Sequence, residues 1–306
     1  MNTKLLSICI PIYNFDVRSL VKDLHLQALQ AGEKFEILLV DDCSLQRFKK
    51  LNQECASLQN VTLLELEENV GRSRIRNMMA ERAKYPWLIF MDCDSQCRDN
   101  QYIQNYLINT KKECIVCGGR LYLPDPPPDS TYLHWLFGTR REVKSHNVRS
   151  LQPNHSFMTN NFMIAASIMK KIKFNEKLRG YGHEDTLFGI ELLKNNIKIR
   201  HIDNPLYHVG LQTADEFLHK TREGTRNLLK VYTILKRDKA LPEMVKLLKT
   251  WKLLHKSGLC YPAGIALKTI EPLMMRNLKG KKPQLFWLDL FKLGSICRQT
   301  VKFRKA

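Results

Sequence analysis

Apolar strands that alternate with amphipathic helices constrain the first part of the chain more than any other feature. Four apolar runs have the pattern of buried strands and three helical patterns separate them, in the order 5–13, 19–31, 35–40, 46–57, 61–66, 71–83 and 87–91. Strands that alternate with helices favour a parallel sheet with helices on both faces. The sequence therefore predicts an α/β fold.

Pairs of carboxylates stand where two of these strands end. Asp41-Asp42 follow the second strand, and Asp92-Cys93-Asp94 follow the fourth. In parallel sheets ligands bind outside the carboxyl ends of the strands, so we expect both clusters to face one crevice. Two carboxylates one residue apart can hold a divalent cation that bridges a diphosphate. The alternative is an ordinary polar strand end, since such a tripeptide is common.

Three further segments carry groups suited to chemistry. Gly71 to Arg76 opens a helix whose first amides, with Arg72 and Arg76 on one face, suit phosphate oxygens; the alternative is a solvated basic stripe. Glu184-Asp185 follow a glycine-flexed loop, and one of them can act as a general base, although acidic residues also favour any helix start. His208 follows a strand and is either a third metal ligand or a structural histidine.

The positive charge of the chain is concentrated in its last third. The net charge is +19, of which residues 211–306 hold +14 and residues 1–210 hold +5. Apolar residues recur there at helical spacing with lysines between them, which predicts a basic helical region. We expect it to attach to an anionic membrane surface, with Trp251, Trp287, Phe286 and Phe291 as apolar contacts. Packing of the apolar stripes on the α/β part of the chain is the alternative.

The cysteines and the apolar runs indicate where the chain resides. Most of the nine cysteines lie inside apolar runs, as reduced cysteines do. Two closer pairs, Cys93 with Cys97 and Cys114 with Cys117, leave a zinc site open as an alternative. We find no export signal, and no uninterrupted apolar stretch of the ~18 residues that a spanning helix requires. The expected location is the cytoplasm, with peripheral attachment to the inner membrane face.

The order of these motifs resembles family 2 glycosyltransferases. No single motif is decisive, but together they are specific, and the resemblance covers about residues 5–210. They are Pro11-Ile12-Tyr13-Asn14, Val40-Asp41-Asp42-Cys43-Ser44, Asn69-x-Gly71 with Arg76-Asn77, Asp92-Cys93-Asp94, Gly182-His183-Glu184-Asp185 and His208. Ile75 and Met78-Met79 depart from the small residues that are common there in the family, which puts the position of that helix in question.

The resemblance implies a GT-A type nucleotide-diphospho-sugar transferase fold, a mostly parallel sheet flanked by helices, with a basic helical C-terminal extension. Residues 1–210 would form the catalytic domain, with 1–120 as its nucleotide-binding half and 121–210 as its acceptor half, and 211–306 the basic region. It also implies an inverting, single-displacement transfer from a nucleotide-sugar donor, with UDP preferred, to a hydroxyl of a glycan or lipid-linked acceptor in surface polysaccharide biosynthesis.

The family's functional residues carry over onto matching positions of this chain. Asp185 would be the catalytic base, and Glu184 would orient the acceptor. Asp94 and His208 would bind Mn²⁺ or Mg²⁺. The nucleotide would be held by residues of the first half of the domain, with Arg76 at the diphosphate and Asp92 at the ribose or metal: Pro11, Tyr13, Asp41, Asp42, Arg76 and Asp92.

Three other functions compete with this interpretation. A sugar-1-phosphate nucleotidyltransferase would need a glycine-rich loop with a lysine after the first strand, and a dinucleotide dehydrogenase a Gly-x-Gly-x-x-Gly there; residues 11–15 contain neither. A basic, non-enzymatic module that binds nucleic acid or a membrane surface would explain the C-terminal charge. It would leave the paired carboxylates without a role, so we expect no nucleic-acid partner.

Overall fold

The structure of the chain is a computed structural model, which describes residues 5–110, 114–235 and 240–303. The predicted domains 1–210 and 211–306 also include residues 1–4, 111–113, 236–239 and 304–306, which lie outside the described residues. The ten strands of the described chain are β1 Leu6–Ile12, β2 Phe35–Asp41, β3 Val61–Glu65, β4 Trp87–Met91, β5 Ser95–Cys97, β6 Cys114–Cys117, β7 Arg120–Leu121, β8 Asn161–Ala165, β9 Lys198–His201 and β10 Leu206–His208.

Helices connect these strands and form the C-terminal part of the chain. The α-helices are α1 Arg18–Gln30, α2 Gln46–Asn52, α3 Arg72–Arg82, α4 Tyr102–Ile108, α5 Asp129–Phe137, α6 His146–Leu151, α7 Ala166–Lys171, α8 Glu184–Lys194, α9 Ala214–Ile234, α10 Ala240–Met244, α11 Lys246–Lys256, α12 Cys260–Thr269, α13 Glu271–Leu278 and α14 Leu285–Phe303. A 3₁₀ helix, Gln53–Ser57, follows α2, and a π-helical turn, Gly138–Glu142, follows α5.

Seven strands form the main sheet, in the order β3-β2-β1-β4-β8-β6-β9. Strands β1 to β4 pair in parallel, β8 runs antiparallel to both β4 and β6, and β9 is parallel to β6. Only β8 of the seven therefore runs in the opposite direction. The predicted α/β class with a mostly parallel sheet is confirmed.

Alternation of side chains along β1 explains why this sheet has two separate cores. Ile8, Ile10 and Ile12 point to the face covered by α1 and α4. Cys9 points to the other face, against Ile75 and further side chains of a second cluster. Successive side chains of a strand face opposite sides of the sheet, so a strand that is buried on both faces must be apolar throughout.

The apolar run Cys114–Leu121 has the pattern of a single strand, but that prediction is wrong, because Gly118-Gly119 divide the run between two sheets. Strand β6 belongs to the main sheet, whereas β7 joins β5 and β10 in a three-stranded sheet of order β5-β10-β7. Gly119 has a positive φ of 97°, and a Cβ on Gly118 would lie 2.2 Å from the backbone oxygen of Asn204. Glycine is the residue that permits this change of direction.

The proline-rich run Pro124–Asp129 has the pattern of a stiff extended loop with no helix, and this prediction is wrong at its end, since Asp129 is the first residue of α5. Pro128 precedes it in extended backbone, with ψ of 151°, which suits the start of a helix. The sequence analysis also missed α6 and α7. The predicted helical C-terminal region is confirmed, and α9 begins at a capping box in which Thr213 and Glu216 exchange side-chain-to-backbone hydrogen bonds.

The chain divides into two compact units, neither of which is continuous in sequence. The first unit contains residues 1–123, 141–177 and 184–210, and the second contains 124–140, 178–183 and 211–306. The sequence-based boundary at 210 is one of the places where the chain passes between units. The segments 124–140 and 178–183, which the sequence division assigned to the catalytic domain, group with the C-terminal helices.

In the described part of the chain, no helix is both long enough and apolar enough to cross a membrane.

We expect Gly118→Ala to destabilise the protein by about 3 kcal/mol, since the added methyl group overlaps backbone that cannot move freely. A suitable control is Gly32→Ala, at a φ of 69° with no atom within 4 Å of the added Cβ, which should cost about 1 kcal/mol. Urea unfolding followed by circular dichroism measures both. Equal unfolding midpoints for the two variants would contradict the role assigned to Gly118.

Candidate active site

All the residues that the sequence analysis assigned to the site belong to the first unit. They lie at or near the carboxyl ends of strands or in the first turns of helices, where the ligands of mostly parallel sheets bind. The set is Pro11, Tyr13, Asp41, Asp42, Arg76, Asp92, Asp94, Glu184, Asp185 and His208.

The end of β1 and the turn after β2 form one connected corner. Pro11 lies opposite Val40 in the β1–β2 pairing. The amide of Asn14 donates to Ser44 Oγ at 2.8 Å, and the amide of Leu45 donates back to Asn14 Oδ1 at 2.8 Å. Tyr13, whose side chain the sequence analysis assigned to the nucleotide, is 54% exposed at this corner.

Asp41 is a buried carboxylate, and only one of its two oxygens accepts a hydrogen bond from the described residues. Its Oδ1 accepts a hydrogen bond from the amide of Ser44 at 2.7 Å. Its Oδ2 is buried and accepts no hydrogen bond from the described residues. A buried acceptor without a donor is costly, and this one suits a ligand that presents an N–H or O–H group.

Asp42 has both oxygens committed to the loop that precedes α3. Its Oδ1 accepts from the amide of Val70 at 2.7 Å and its Oδ2 from the amide of Gly71 at 3.1 Å. Burial raises the pKa of this carboxyl despite those hydrogen bonds. Gly71 itself has a φ of 81°. Asp42 thus positions the start of α3, and its assignment to the nucleotide stays a prediction.

Asp92 lies between two arginines. Arg76 Nη2 donates to its Oδ1 at 2.9 Å, and Arg120 Nη2 lies 3.4 Å from its Oδ2. Arg76 is only 2% exposed, and its Nη1 donates to the backbone oxygen of Arg72. Arg76 therefore orients Asp92. The side chain of Arg72, on the same helix, is 44% exposed.

Two charged residues of this cluster, Arg120 and Glu142, were not predicted from the sequence, and neither was their neighbour Tyr122. Arg120 Nη1 donates to Glu142 Oε2 at 3.1 Å, and the hydroxyl of Tyr122 donates to the same oxygen. The ring of Tyr122 meets that of His208 edge-on, with centroids 5.4 Å apart. Arg120 follows the Gly118-Gly119 break, which is the one local signal that could have indicated it.

Asp94 and His208 come together through the three-stranded sheet. Strand β10 pairs antiparallel with β5, and the amide of Val209 donates to the backbone oxygen of Asp94 at 2.9 Å. The Asp94 Oδ1 and His208 Nδ1 atoms are then 3.3 Å apart. Burial alone would raise the pKa of the Asp94 carboxyl, but His208 and Arg120 lower it to about 2.

Gly210 is a residue of this site that sequence reasoning missed. A Cβ at position 210 would lie 2.5 Å from the Asp94 Cβ and 2.7 Å from its Oδ2. Any larger residue would displace the carboxylate from its place beside His208.

The Asp94–His208 pair has the donor chemistry for a divalent cation. Two atoms of one octahedral shell, each ~2.1 Å from a metal ion, lie about 3 Å apart, which is close to the distance between this oxygen and this nitrogen. Asp94 Oδ1 accepts no hydrogen bond in the described chain. Among the described residues, no group of three or more His, Cys, Asp or Glu converges in a way that would hold a metal, so the cysteine pairs form no such zinc cluster there.

Glu184 and Asp185 are the first two residues of α8, and their pKa values are shifted in opposite directions. Burial favours the neutral form of Glu184, but the charges of Arg72 and Arg76 outweigh it and lower its pKa; Arg72 Nη1 is 3.1 Å from its Oε1. Burial and the charge of Glu184 raise the pKa of Asp185 to about 6, against hydrogen bonds from Thr186. Adjacent carboxylates whose pKa values are pushed apart are typical of acid–base sites.

The loop before this pair has an unusual backbone. Gly180, Gly182 and His183 have φ values of 87°, 90° and 69°. Asn227 of α9, which like residues 178–183 belongs to the second unit, donates from Nδ2 to the backbone oxygen of Tyr181 at 3.0 Å. This hydrogen bond supports a conformation that is strained for His183.

Comparison with known proteins gives a family match. The family described as Glycosyl transferase family 2 matches residues 7–173. The putative teichuronic acid biosynthesis glycosyltransferase TuaG of Bacillus subtilis (strain 168) is 26% identical over 134 residues. That alignment covers 42% of this chain and 52% of TuaG, so the chain spans about half of that relative's length.

Two solved structures have a similar fold over nearly the whole chain. S. aureus TarS, residues 1–349, has a TM-score of 0.53 at 17% identity, with 98% of this chain and 91% of that chain covered. The mannosyltransferase PcManGT of Pyrobaculum calidifontis, in complex with GDP-Man and Mn²⁺, has a TM-score of 0.56 at 11% identity, with 97% and 86% covered.

We expect Arg76→Met to destabilise the protein by about 3 kcal/mol, because it removes one partner from a buried ion pair and leaves Asp92 with Arg120 alone. Arg74→Met is the matched control on the same helix, since Arg74 is 48% exposed and lies 4.0 Å from Glu68. It should change the free energy of unfolding by less than ~0.5 kcal/mol. Urea titration of both variants measures the difference, and similar values would argue against the pair.

Proposed function

The chain belongs to glycosyl transferase family 2 and has a GT-A type α/β fold, and from that premise we propose the reaction that it catalyses. The proposed reaction is an inverting transfer of a sugar from a nucleotide diphosphate to a hydroxyl of a glycan or lipid-linked acceptor. UDP is the proposed nucleotide and surface polysaccharide the proposed product.

The observation that carries this proposal is the pair of carboxylates at the start of α8. Asp185, with a pKa of about 6, is mostly ionised at neutral pH yet more basic than an ordinary aspartate. It accepts the proton of the acceptor hydroxyl while the oxygen attacks the anomeric carbon and the nucleoside diphosphate departs. Glu184, held ionised by Arg72, orients the acceptor through a second hydrogen bond.

The corner between β1 and β2 would hold the nucleoside. Tyr13 offers an exposed aromatic ring for stacking, and Asp41 Oδ2 offers a buried acceptor without a donor. An ionised carboxylate can only accept, so it suits a base that presents an N–H group, such as the ring N–H of uracil. Pro11 and Asp92 would line the same nucleoside.

The diphosphate would lie between Arg72 and a divalent cation. Asp94 and His208 would hold Mn²⁺ or Mg²⁺. The bound cation would neutralise part of the negative charge of the departing diphosphate. Arg72 is more exposed than Arg76, so we assign it the phosphate contact first expected of Arg76. Arg76 keeps Asp92 in position.

The pH dependence of transfer should report Asp185. Because the base must be ionised, kcat/KM should fall about tenfold per pH unit below pH 6 and level off above it. Asp185→Asn should lower kcat about 1,000-fold, within the range for loss of a general base. Initial rates of UDP release across pH, with a series of UDP-sugars and acceptors, measure both.

Variants of two neighbouring residues distinguish the titration of Asp185 from a general sensitivity of the protein to pH. Glu184→Gln removes a charge that raises the pKa of Asp185, so the acid limb should move to lower pH. Arg72→Gln removes a charge that lowers it, so the limb should move to higher pH. An acid limb that stays in place in both variants would contradict the assignment of Asp185.

Nucleotide and metal binding can be measured without a known acceptor. We expect UDP to raise the melting temperature only when Mn²⁺ is present, and the rise to disappear in Asp94→Ala. GDP and dTDP serve as competing nucleotides, and Asp125→Ala, at an exposed carboxylate, is the control that should retain the full shift. If no nucleotide stabilises the wild type with Mn²⁺, the donor site proposed here is wrong.

A further inference from the structure

Helices α11 and α12 each bury one face against α14 of the second unit. Trp251 Nε1 donates to Thr300 Oγ1 at 2.7 Å, and Leu248 is completely buried beside it. Gly264 of α12 approaches so closely that an added Cβ would lie 3.3 Å from the Cys297 Cβ. The direction of burial in both helices is therefore fixed by contacts within this unit.

The opposite faces of the two helices carry apolar side chains at the surface. On α11, Leu253 is 64% exposed, and on α12, Tyr261 and Ile265, four residues apart, are 61% and 48% exposed. Leu259, in the turn between the helices, is 54% exposed. We call these four residues, with the lysines described next, the α11–α12 surface. Several exposed apolar side chains on neighbouring helices are typical of an interaction site.

Lysines lie on the same faces and no acidic residue interrupts them. Residues 246–270 contain five lysines and neither aspartate nor glutamate. Lys246 and Lys256 are exposed and share the helical face of Leu253, while Lys268 shares that of Ile265. The next acidic residue, Glu271, pairs with Arg222 and Arg298. The α11–α12 surface is thus both apolar and uniformly positive.

We infer that the α11–α12 surface docks on a lipid bilayer with anionic headgroups. Lysines are attracted to the negative surface potential, and apolar side chains between them insert at the boundary of headgroups and acyl chains. A soluble polyanion would satisfy the lysines but would offer nothing to Leu253, Tyr261 and Ile265. The bilayer accounts for both properties of the surface.

Two of the four aromatic residues that were expected from the sequence to meet the membrane are buried, whereas Phe286 is 62% exposed. Trp251 and Phe291 are 5% and 2% exposed, because they belong to the faces that pack inside the second unit. The contacts with lipid are made by side chains on the opposite faces. The inference goes beyond the proposed transfer reaction, and its test requires no activity.

The test is flotation of the purified full chain with vesicles of phosphatidylcholine, with or without phosphatidylglycerol. We expect the wild type to float only with phosphatidylglycerol, and less so at high salt. Lys246→Gln/Lys256→Gln should weaken binding about 30-fold, since each lysine near an anionic surface contributes about fivefold. Leu253→Ser/Ile265→Ser should also weaken binding, at both salt concentrations, because it removes the inserted side chains.

Matched controls lie on exposed positions of the first unit. Lys170→Gln/Lys171→Gln removes the same charge from α7, and Leu26→Ser removes an apolar side chain that is 58% exposed on α1. Both should float as the wild type does. The inference is overturned if the wild type stays in the soluble fraction at low salt, or if the variants of the α11–α12 surface and the control variants float equally. It is also overturned if soluble polyphosphate binds as tightly as the vesicles and the serine variant changes nothing.

Discussion

The carboxylate of Asp92, shared by Arg76 and Arg120, is the contact on which the candidate site depends. A buried guanidinium requires a counter-charge, so Arg76 fixes α3 against the end of β4, and Arg120 fixes β7 there as well. Arg120 in turn holds Glu142, and Glu142 accepts from Tyr122, whose ring contacts His208. A series of ion pairs, hydrogen bonds and one ring contact thus connects helix α3 with the candidate metal ligands.

Local pattern predicted the main sheet well because burial on both faces leaves strands with few compatible sequences. Strands β1 and β4 and helix α3 were predicted to within two residues. The pattern failed where a tertiary contact decides the structure. An apolar run over residues 114–121 has the pattern of one strand, and only the approach of Asn204 to Gly118 divides it between two sheets.

The same difference between local pattern and tertiary contact applies to the residues of the candidate site. Carboxylates at strand ends were predictable, since topology brings such ends together. Arg120 and Gly210 were not, because their importance arises from pairing across distant parts of the chain. Periodicity likewise identified an apolar stripe in the C-terminal helices but could not tell what covers it, so Trp251 was expected at a membrane and is packed inside its own unit.

The structure supplies a physical reason to choose between Glu184 and Asp185 as the base, which the family resemblance alone did not. In the sequence the two are adjacent carboxylates at a helix start, and only the family pattern selected Asp185. Arg72, far away in sequence, contacts Glu184 and favours its ionised form, and that charge then raises the pKa of its neighbour to about 6. Arg76 also lowers the pKa of Glu184, so two cations favour the ionised form of that carboxylate. Adjacent carboxylates ionise unequally when nearby cations favour the charge of one of them more than that of the other. Asp185 is therefore the carboxylate that keeps an affinity for protons near neutral pH.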